Sequence, residues 1–184
     1  MNNRGRLFVV SAPSGAGKGT VIKELLKLKP DIYLSVSVTT RAPRTGETDG
    51  ESYFFVTRER FEEMISHGQF FEYAEYVGEY YGTPKEPIFE AIERGRDVIL
   101  EIEVQGAKQV MAVAPEAVTI FIIPPSMEEL ERRLRGRGTD SEEKLKKRLA
   151  MARRELEEKS DYDHIVVNDI AAVAAEEILT IIET

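Results

Sequence analysis

The feature that most restricts the fold is a junction near the start of the chain. The apolar run RLFVVS (6–11) passes straight into SAPSGAGKGT (11–20), and helix-forming residues follow at once. A glycine-rich turn between a buried strand and a helix aims several backbone N–H groups at one point. The positive end of the helix adds to them, so the point binds phosphate. The usual spacing is Gly, four residues, Gly-Lys, then Ser or Thr. Ala12 stands here for the first glycine and Gly19 for the hydroxyl residue, with Thr20 supplying a hydroxyl one position later. Alanine is tolerated wherever φ is negative, and magnesium leans on substrate phosphates and water, so neither departure abolishes a triphosphate site. On this reading Ala12, Pro13, Ser14, Gly15, Ala16, Gly17, Lys18, Gly19 and Thr20 wrap the phosphates, and the Lys18 ammonium reaches the β- and γ-phosphates.

Beyond the junction the chain alternates short apolar strands with helical stretches, the pattern of an α/β fold with a parallel sheet and helices on both faces. The spacing predicts a helix over 17–29, with Val21, Leu25 and Leu28 on its apolar side and Pro30 as its stop. Strands are predicted at 97–103, 118–123 and 164–168, and helices over 106–113 and 170–182. In ILEIE the two-residue period puts Glu101 and Glu103 on one face and Val98, Leu100 and Ile102 on the other. Two stretches break the rhythm. Residues 35–83 are β-leaning and aromatic around a short helix near 58–67. Residues 126–159 are helical except at RGRGTDSEE, where Thr139 or Asp140 is suited to cap a second helix. The organisation expected is one domain: a core of 1–34, 84–125 and 160–184, an insertion at 35–83, and a lid with adjoining helices at 126–159.

Composition narrows the function classes. The 184 residues are 42% hydrophobic and 32% charged, with no cysteine, which fits a soluble domain in a reducing compartment and excludes thiol metal sites. The longest apolar runs are strand-sized, no basic-then-apolar leader precedes residue 7, and the net charge of −8 argues against coating nucleic acid. A cytoplasmic protein without membrane or nucleic-acid partner is expected, as monomer or homodimer. Charge is uneven, however. Ten of the 25 Lys and Arg residues lie between Arg132 and Arg154, against three acids. Such a run is ordinarily a solvated helix face, but beside a triphosphate it is also a source of neutralising charge. A base-reading Asn-Lys-x-Asp is absent, which sets a switch GTPase aside.

The insertion offers a second anion site. SVSVTTRAPRTGETDGESYFF (35–55) places Arg41 and Arg44 three residues apart with Tyr53 following, two planar forks and a phenol suited to a phosphate group. FFEYAEYVGEYYGT (70–83) adds Glu72, Tyr81 and Thr83. With these segments, ILEIEVQGAKQV, PPSMEELERRLRGRGTDSEEKLKKRL and VVND, the chain resembles guanylate kinases over essentially its full length. The resemblance implies transfer of the γ-phosphate of ATP to GMP with magnesium, on a P-loop core carrying a GMP-binding insertion and a helical lid.

The same resemblance implies the roles. Ser37, Arg41, Arg44, Tyr53, Glu72, Tyr81, Thr83 and Glu101 match positions that hold GMP. A carboxylate such as Glu72 accepts from guanine N1–H and the 2-amino group, while hydroxyls such as Ser37 and Thr83 donate to O6. Adenine lacks the 2-amino group and would face the carboxylate with a second acceptor, and sites of this kind discriminate by roughly 10⁴-fold. Arg133 and Arg137 match ATP-contacting arginines, and Asn168 a residue near adenine. Transfer falls to Lys18, Arg44, Arg137 and Arg148. Glu103 is an outer magnesium ligand acting through water; in the family this stretch often carries aspartates where Glu101 and Glu103 stand. Two other readings belong to different classes: a guanylate-kinase-like interaction module that binds protein without catalysis, and a kinase of the same fold with another acceptor.

Overall fold

The computed structural model describes residues 4–76, 78–136 and 141–184. In chain order the elements are β1 (Leu7–Ser11), α1 (Lys18–Leu28), β2 (Tyr33–Leu34), β3 (Val38–Thr39), β4 (Phe54–Phe55), α2 (Arg58–Ser66), β5 (Phe70–Tyr76) and β6 (Glu79–Pro84). There follow α3 (Lys85–Glu93), β7 (Val98–Glu101), α4 (Val104–Val113), β8 (Val118–Ile123), α5 (Met127–Gly136), α6 (Glu142–Glu157), β9 (His164–Val167) and α7 (Ala171–Glu183). A five-stranded sheet has the order β2-β7-β1-β8-β9, and a four-stranded sheet the order β4-β3-β6-β5. In the larger sheet β2 pairs with β7, β1 with β8 and β8 with β9, each in parallel. Among the described residues no helix is long and apolar enough to cross a membrane.

The backbone groups into two compact units. One comprises Met1–Leu7, Tyr33–Leu100 and Gln105–Ala117; the other comprises Phe8–Ile32, Glu101–Val104 and Val118–Thr184. In the second unit Phe8, Val9, Val10, Ile120, Phe121 and Ile122 are all fully buried. Helix α1 lies against α7, whose Ala174 and Ala175 are small enough for close approach and whose Ile178 is fully buried. A satellite core of Leu130, Leu134, Leu145 and Ala152 joins α5 to α6. In the first unit, Val38, Phe61 and Phe70 form the core of the smaller sheet. The Phe61 ring stacks on Phe70 at 4.4 Å between centroids and on Tyr80 at 5.1 Å. Each such ring removes enough apolar surface from water to contribute about 1.5–3 kcal/mol.

Four local expectations change. Leu28 is 48% exposed, and Ile22 replaces it, because Val21, Ile22 and Leu25 fall within one turn on the same side of α1. The alternation read in ILEIE holds for Leu100 to Glu103, but Ile99 is buried as well, as in a parallel strand covered on both faces. The strand ends at Glu101, so Glu103 sits beyond it, at the entry to α4. The capping residues read at Thr139 and Asp140 fall outside the described residues. The described N-cap of α6 is Ser141, whose hydroxyl accepts from the Lys144 N–H at 3.3 Å.

Candidate active site

The phosphate loop belongs to the second unit, and its glycines are explained by two separate constraints. Gly15 and Gly17 have φ of 95° and 91°, in the left-handed region that side chains disfavour. Space forbids a side chain as well: a Cβ at Gly15 would lie 2.6 Å from Leu134 Cδ2, and one at Gly17 2.5 Å from Asn168 Nδ2. Gly17 is also the N-cap of α1. It offers no side-chain acceptor to the first-turn N–H groups, and that turn holds no acidic residue. The positive end of α1 is therefore left for an external anion. Gly19 is less constrained: a Cβ there would lie 3.3 Å from Glu101 Oε1, so that carboxylate would have to shift by a few tenths of an ångström.

A cavity of about 460 Å³ lies over this loop, lined by loop residues together with Lys23, Glu103 and Arg148. Lys18 is half-buried, and its Nζ donates to the Ile102 carbonyl at 2.8 Å. Burial lowers its pKa, while Glu101, Glu103 and Glu155 act in the opposite direction by favouring the ammonium form. Ala12 is buried at the loop's base.

Residues far along the chain hold the loop in shape. Asn168, buried just after β9, donates from Nδ2 to the Ala16 carbonyl at 2.7 Å. Arg133 donates to the same carbonyl at 3.4 Å and to the Asp169 carbonyl at 3.2 Å, while its Nε pairs with Glu129 at 2.7 Å. From α6, Arg148 donates to the Ser14 hydroxyl at 2.9 Å and Glu155 accepts from the Ser14 N–H at 3.3 Å. Burial raises the Glu155 pKa, and the Ser14 N–H opposes that. Glu155 was not singled out from sequence. The available signal was its seven-residue offset from Arg148, two helical turns on the same face. Arg137 lies outside the described residues.

The other predicted residues lie in the first unit, on the four-stranded sheet and its loops. Arg41 pairs with Glu47 at 2.8 Å and stands 5.4 Å from the Tyr53 ring centre, while the Tyr53 and Tyr81 rings meet edge-to-face at 6.1 Å. Glu47 also accepts from the Arg44 N–H at 2.7 Å, and the Arg44 side chain is exposed. One acid thus holds the side chain of Arg41 and the backbone of Arg44. Its position within TTRAPRTGE was visible in sequence, but its role was not. Ser37 is half-buried immediately before β3, and its carbonyl accepts from Phe54 N–H at 2.8 Å. Glu72 and Thr83 are register partners across β5 and β6, and the buried Thr83 hydroxyl donates to Glu72 Oε1 at 2.6 Å. Burial raises the Glu72 pKa, with the Thr83 bonds opposing it. Glu101, assigned to the same predicted group, belongs to the second unit, beside Gly19 and Lys18.

A strand, a loop shaped by Gly15 and Gly17, and an uncapped helix opening on a half-buried lysine define a P-loop core, the architecture of nucleotide-dependent phosphoryl-transfer proteins. The guanylate kinase family profile matches residues 4–184. A guanylate kinase of Clostridioides difficile is 54% identical over 181 residues, covering 98% of this chain and 88% of its own. One from Streptococcus thermophilus is 54% identical over 184 residues, covering 100% and 88%. The crystal structure of guanylate kinase from Anaplasma phagocytophilum superposes with a TM-score of 0.75 at 38% identity, covering 98% of this chain and 85% of that one. The chain belongs to the guanylate kinase family.

Proposed function

We propose that the chain transfers the γ-phosphate of ATP to GMP, giving ADP and GDP. A phosphate oxygen of GMP attacks the γ-phosphorus, the bond from that phosphorus to the β–γ bridging oxygen breaks, and the electron pair leaves with ADP. The acceptor oxygen is already ionised, so no strong general base is needed. The protein's part is positioning and positive charge. Lys18 and the open N-terminus of α1 supply the charge on the donor side, with Arg133, Arg137 and Arg148 as further cations and Asn168 bracing the loop. On the acceptor side Arg41, Arg44, Tyr53 and Tyr81 take the phosphate group of GMP, and Ser37, Glu72 and Thr83 read the base. Residues 35–83 act as the acceptor lobe and 126–159 as the lid.

The observation that carries the choice of guanine is Glu72: a largely buried carboxylate whose one oxygen is held by Thr83 at 2.6 Å. Its other oxygen is suited to purine N–H donors, of which guanine presents two on one edge. Among the described residues no group of three or more His, Asp or Glu side chains gathers as a metal cage. Hard oxygen donors nevertheless line the loop cavity, in keeping with a magnesium ion that arrives on the nucleotide. Thr20 and Glu103 would hold magnesium, Glu103 through water, and the metal would supply charge neutralisation of the triphosphate. We place the protein in the cytoplasm, as monomer or homodimer, on its charge and composition. The test is a coupled assay of ADP formation with ATP and magnesium, offering GMP, AMP, UMP and CMP separately. Turnover with GMP alone is expected. Equal or faster turnover with another nucleotide refutes the acceptor half, and binding of ATP without turnover points to the non-catalytic module.

A further inference from the structure

Gly106 and Gln109 lie three residues apart on α4, and both reach the strand that carries Glu72. A Cβ added at Gly106 would stand 3.0 Å from Glu72 Oε2, 3.2 Å from Cδ and 3.4 Å from Cγ. Gly106 is within a helix, where glycine costs about 0.5–1 kcal/mol relative to alanine. It is not among the glycines with positive φ, so what a side chain here would disturb is the Glu72 carboxylate and not the backbone conformation. Without a side chain at 106, the helix can back directly onto the carboxylate.

Gln109 acts on the next residue. Its Oε1 accepts from the Tyr73 N–H and its Nε2 donates to the Tyr73 carbonyl, each at 3.4 Å. One side-chain amide therefore engages both backbone groups of a residue in β5, as a neighbouring strand would, and β5 is an outer strand of its sheet. The pairing of β5 with β6 is irregular between Phe70 and Glu72, a break of the kind that re-aims a side chain. At this irregular point the strand has three fixed references: Thr83 on Oε1, the Gly106 backbone behind Oε2, and Gln109 on Tyr73.

We propose that Gly106 and Gln109 are positioning residues for base selection, holding the Glu72 carboxylate at the depth and angle at which it accepts both N–H donors of guanine. This rests on the reading of Glu72 given above. A displacement of a few tenths of an ångström spoils the geometry of charge-assisted bonds that prefer 2.7–2.9 Å.

Steady-state kinetics with GMP and with AMP on Glu72→Gln, Gly106→Ala, Gln109→Leu and the double variant Glu72→Gln/Gly106→Ala test it. Gly106→Ala and Gln109→Leu are each expected to raise KM for GMP about 10-fold, the effect of weakening one hydrogen bond to a charged group. The preference for GMP over AMP should fall in step, with KM for ATP unchanged. In the Glu72→Gln background the Gly106→Ala effect should largely vanish, because both act through one carboxylate. Loss of GMP preference in Glu72→Gln but not in the other two variants overturns the positioning role and leaves the Glu72 reading intact. An undiminished Gly106→Ala effect in the double variant overturns it as well. Unchanged preference in Glu72→Gln refutes the reading of Glu72 itself, and the inference with it. Gln109→Leu adds no bulk, so it decides the matter if Gly106→Ala does not fold.

Discussion

Replacing Lys18 with methionine separates what this residue does for chemistry from what it does for the fold. The side chain keeps nearly its length and loses its charge. A unit charge pair at about 4 Å with an effective dielectric near 20 is worth about 4 kcal/mol. Because the ammonium also meets the ground-state triphosphate, only part of that is specific to the transition state. A loss of about 3–4 kcal/mol corresponds to roughly 10²–10³ in kcat. The stability terms oppose each other. The Ile102 carbonyl loses its partner at 2.8 Å, about 1–3 kcal/mol, and Glu101, Glu103 and Glu155 lose a neighbouring cation. Against this, a charge whose burial is unfavourable enough to lower its pKa is no longer buried. The net change should lie within about 2 kcal/mol, which for a chain of this size moves the unfolding midpoint by only several degrees. The coupled ADP assay at saturating ATP and GMP reads the first quantity, and thermal unfolding followed by circular dichroism reads the second. A variant that unfolds cooperatively near the parent midpoint and turns over within about five-fold of it would refute the assignment of Lys18 to the reacting phosphates.

Three further outcomes are expected. Gly17→Ala combines a φ of 91° with a Cβ 2.5 Å from Asn168 Nδ2, so it should cost about 1–2 kcal/mol in backbone strain and also displace the Asn168 bond to Ala16. Calorimetric titration with ATP should show affinity reduced at least ten-fold, and unaltered affinity would mean that the loop geometry is not what binds. Phe61→Ala removes the ring stacked between Phe70 and Tyr80 and should cost about 3–5 kcal/mol in urea unfolding; a change below 1 kcal/mol would show that the smaller sheet does not depend on this core. Because burial raises the Glu72 pKa, kcat/KM for GMP should fall as pH is lowered, beginning above the ordinary carboxylate range, and Glu72→Gln should abolish that limb. The stability sign is the reverse. Between the ordinary and raised values the folded state binds more protons than the unfolded one, so this group's contribution declines as pH rises, and a denaturation series on the parent and Glu72→Gln proteins would detect the difference.

Local sequence carried the parts of the protein in which a few adjacent residues settle the physics. RLFVVS followed by SAPSGAGKGT defines a strand, an anion-binding turn and a helix start within fifteen residues, and the observed β1, Gly17 cap and α1 follow from that stretch. The apolar runs at 118–123 and 164–168 likewise pair as neighbouring parallel strands. The acidic and basic residues of α6 marked a helical region, but the cap at Ser141 was missed because adjacent hydroxyl and carboxylate residues compete for the same role on nearly equal terms.

What the sequence could not express is which distant groups share a point in space. Glu155, 141 residues from Ser14, accepts its N–H, and Asn168, 152 residues from Ala16, holds its carbonyl. Glu101 was placed with the acceptor group by resemblance alone; that its carboxylate also stands beside Gly19 is visible only in the fold. Gly106 read as one more residue of a helix, and only the fold shows that a side chain there would crowd the Glu72 carboxylate. The sequence by itself determined the chemistry available: a lysine in an anion-binding turn, paired arginines, and the Glu72 carboxylate proposed to read the base. The tertiary structure decided how rigidly each is held, because bond distances and burial arise from contacts between segments that no local pattern encodes.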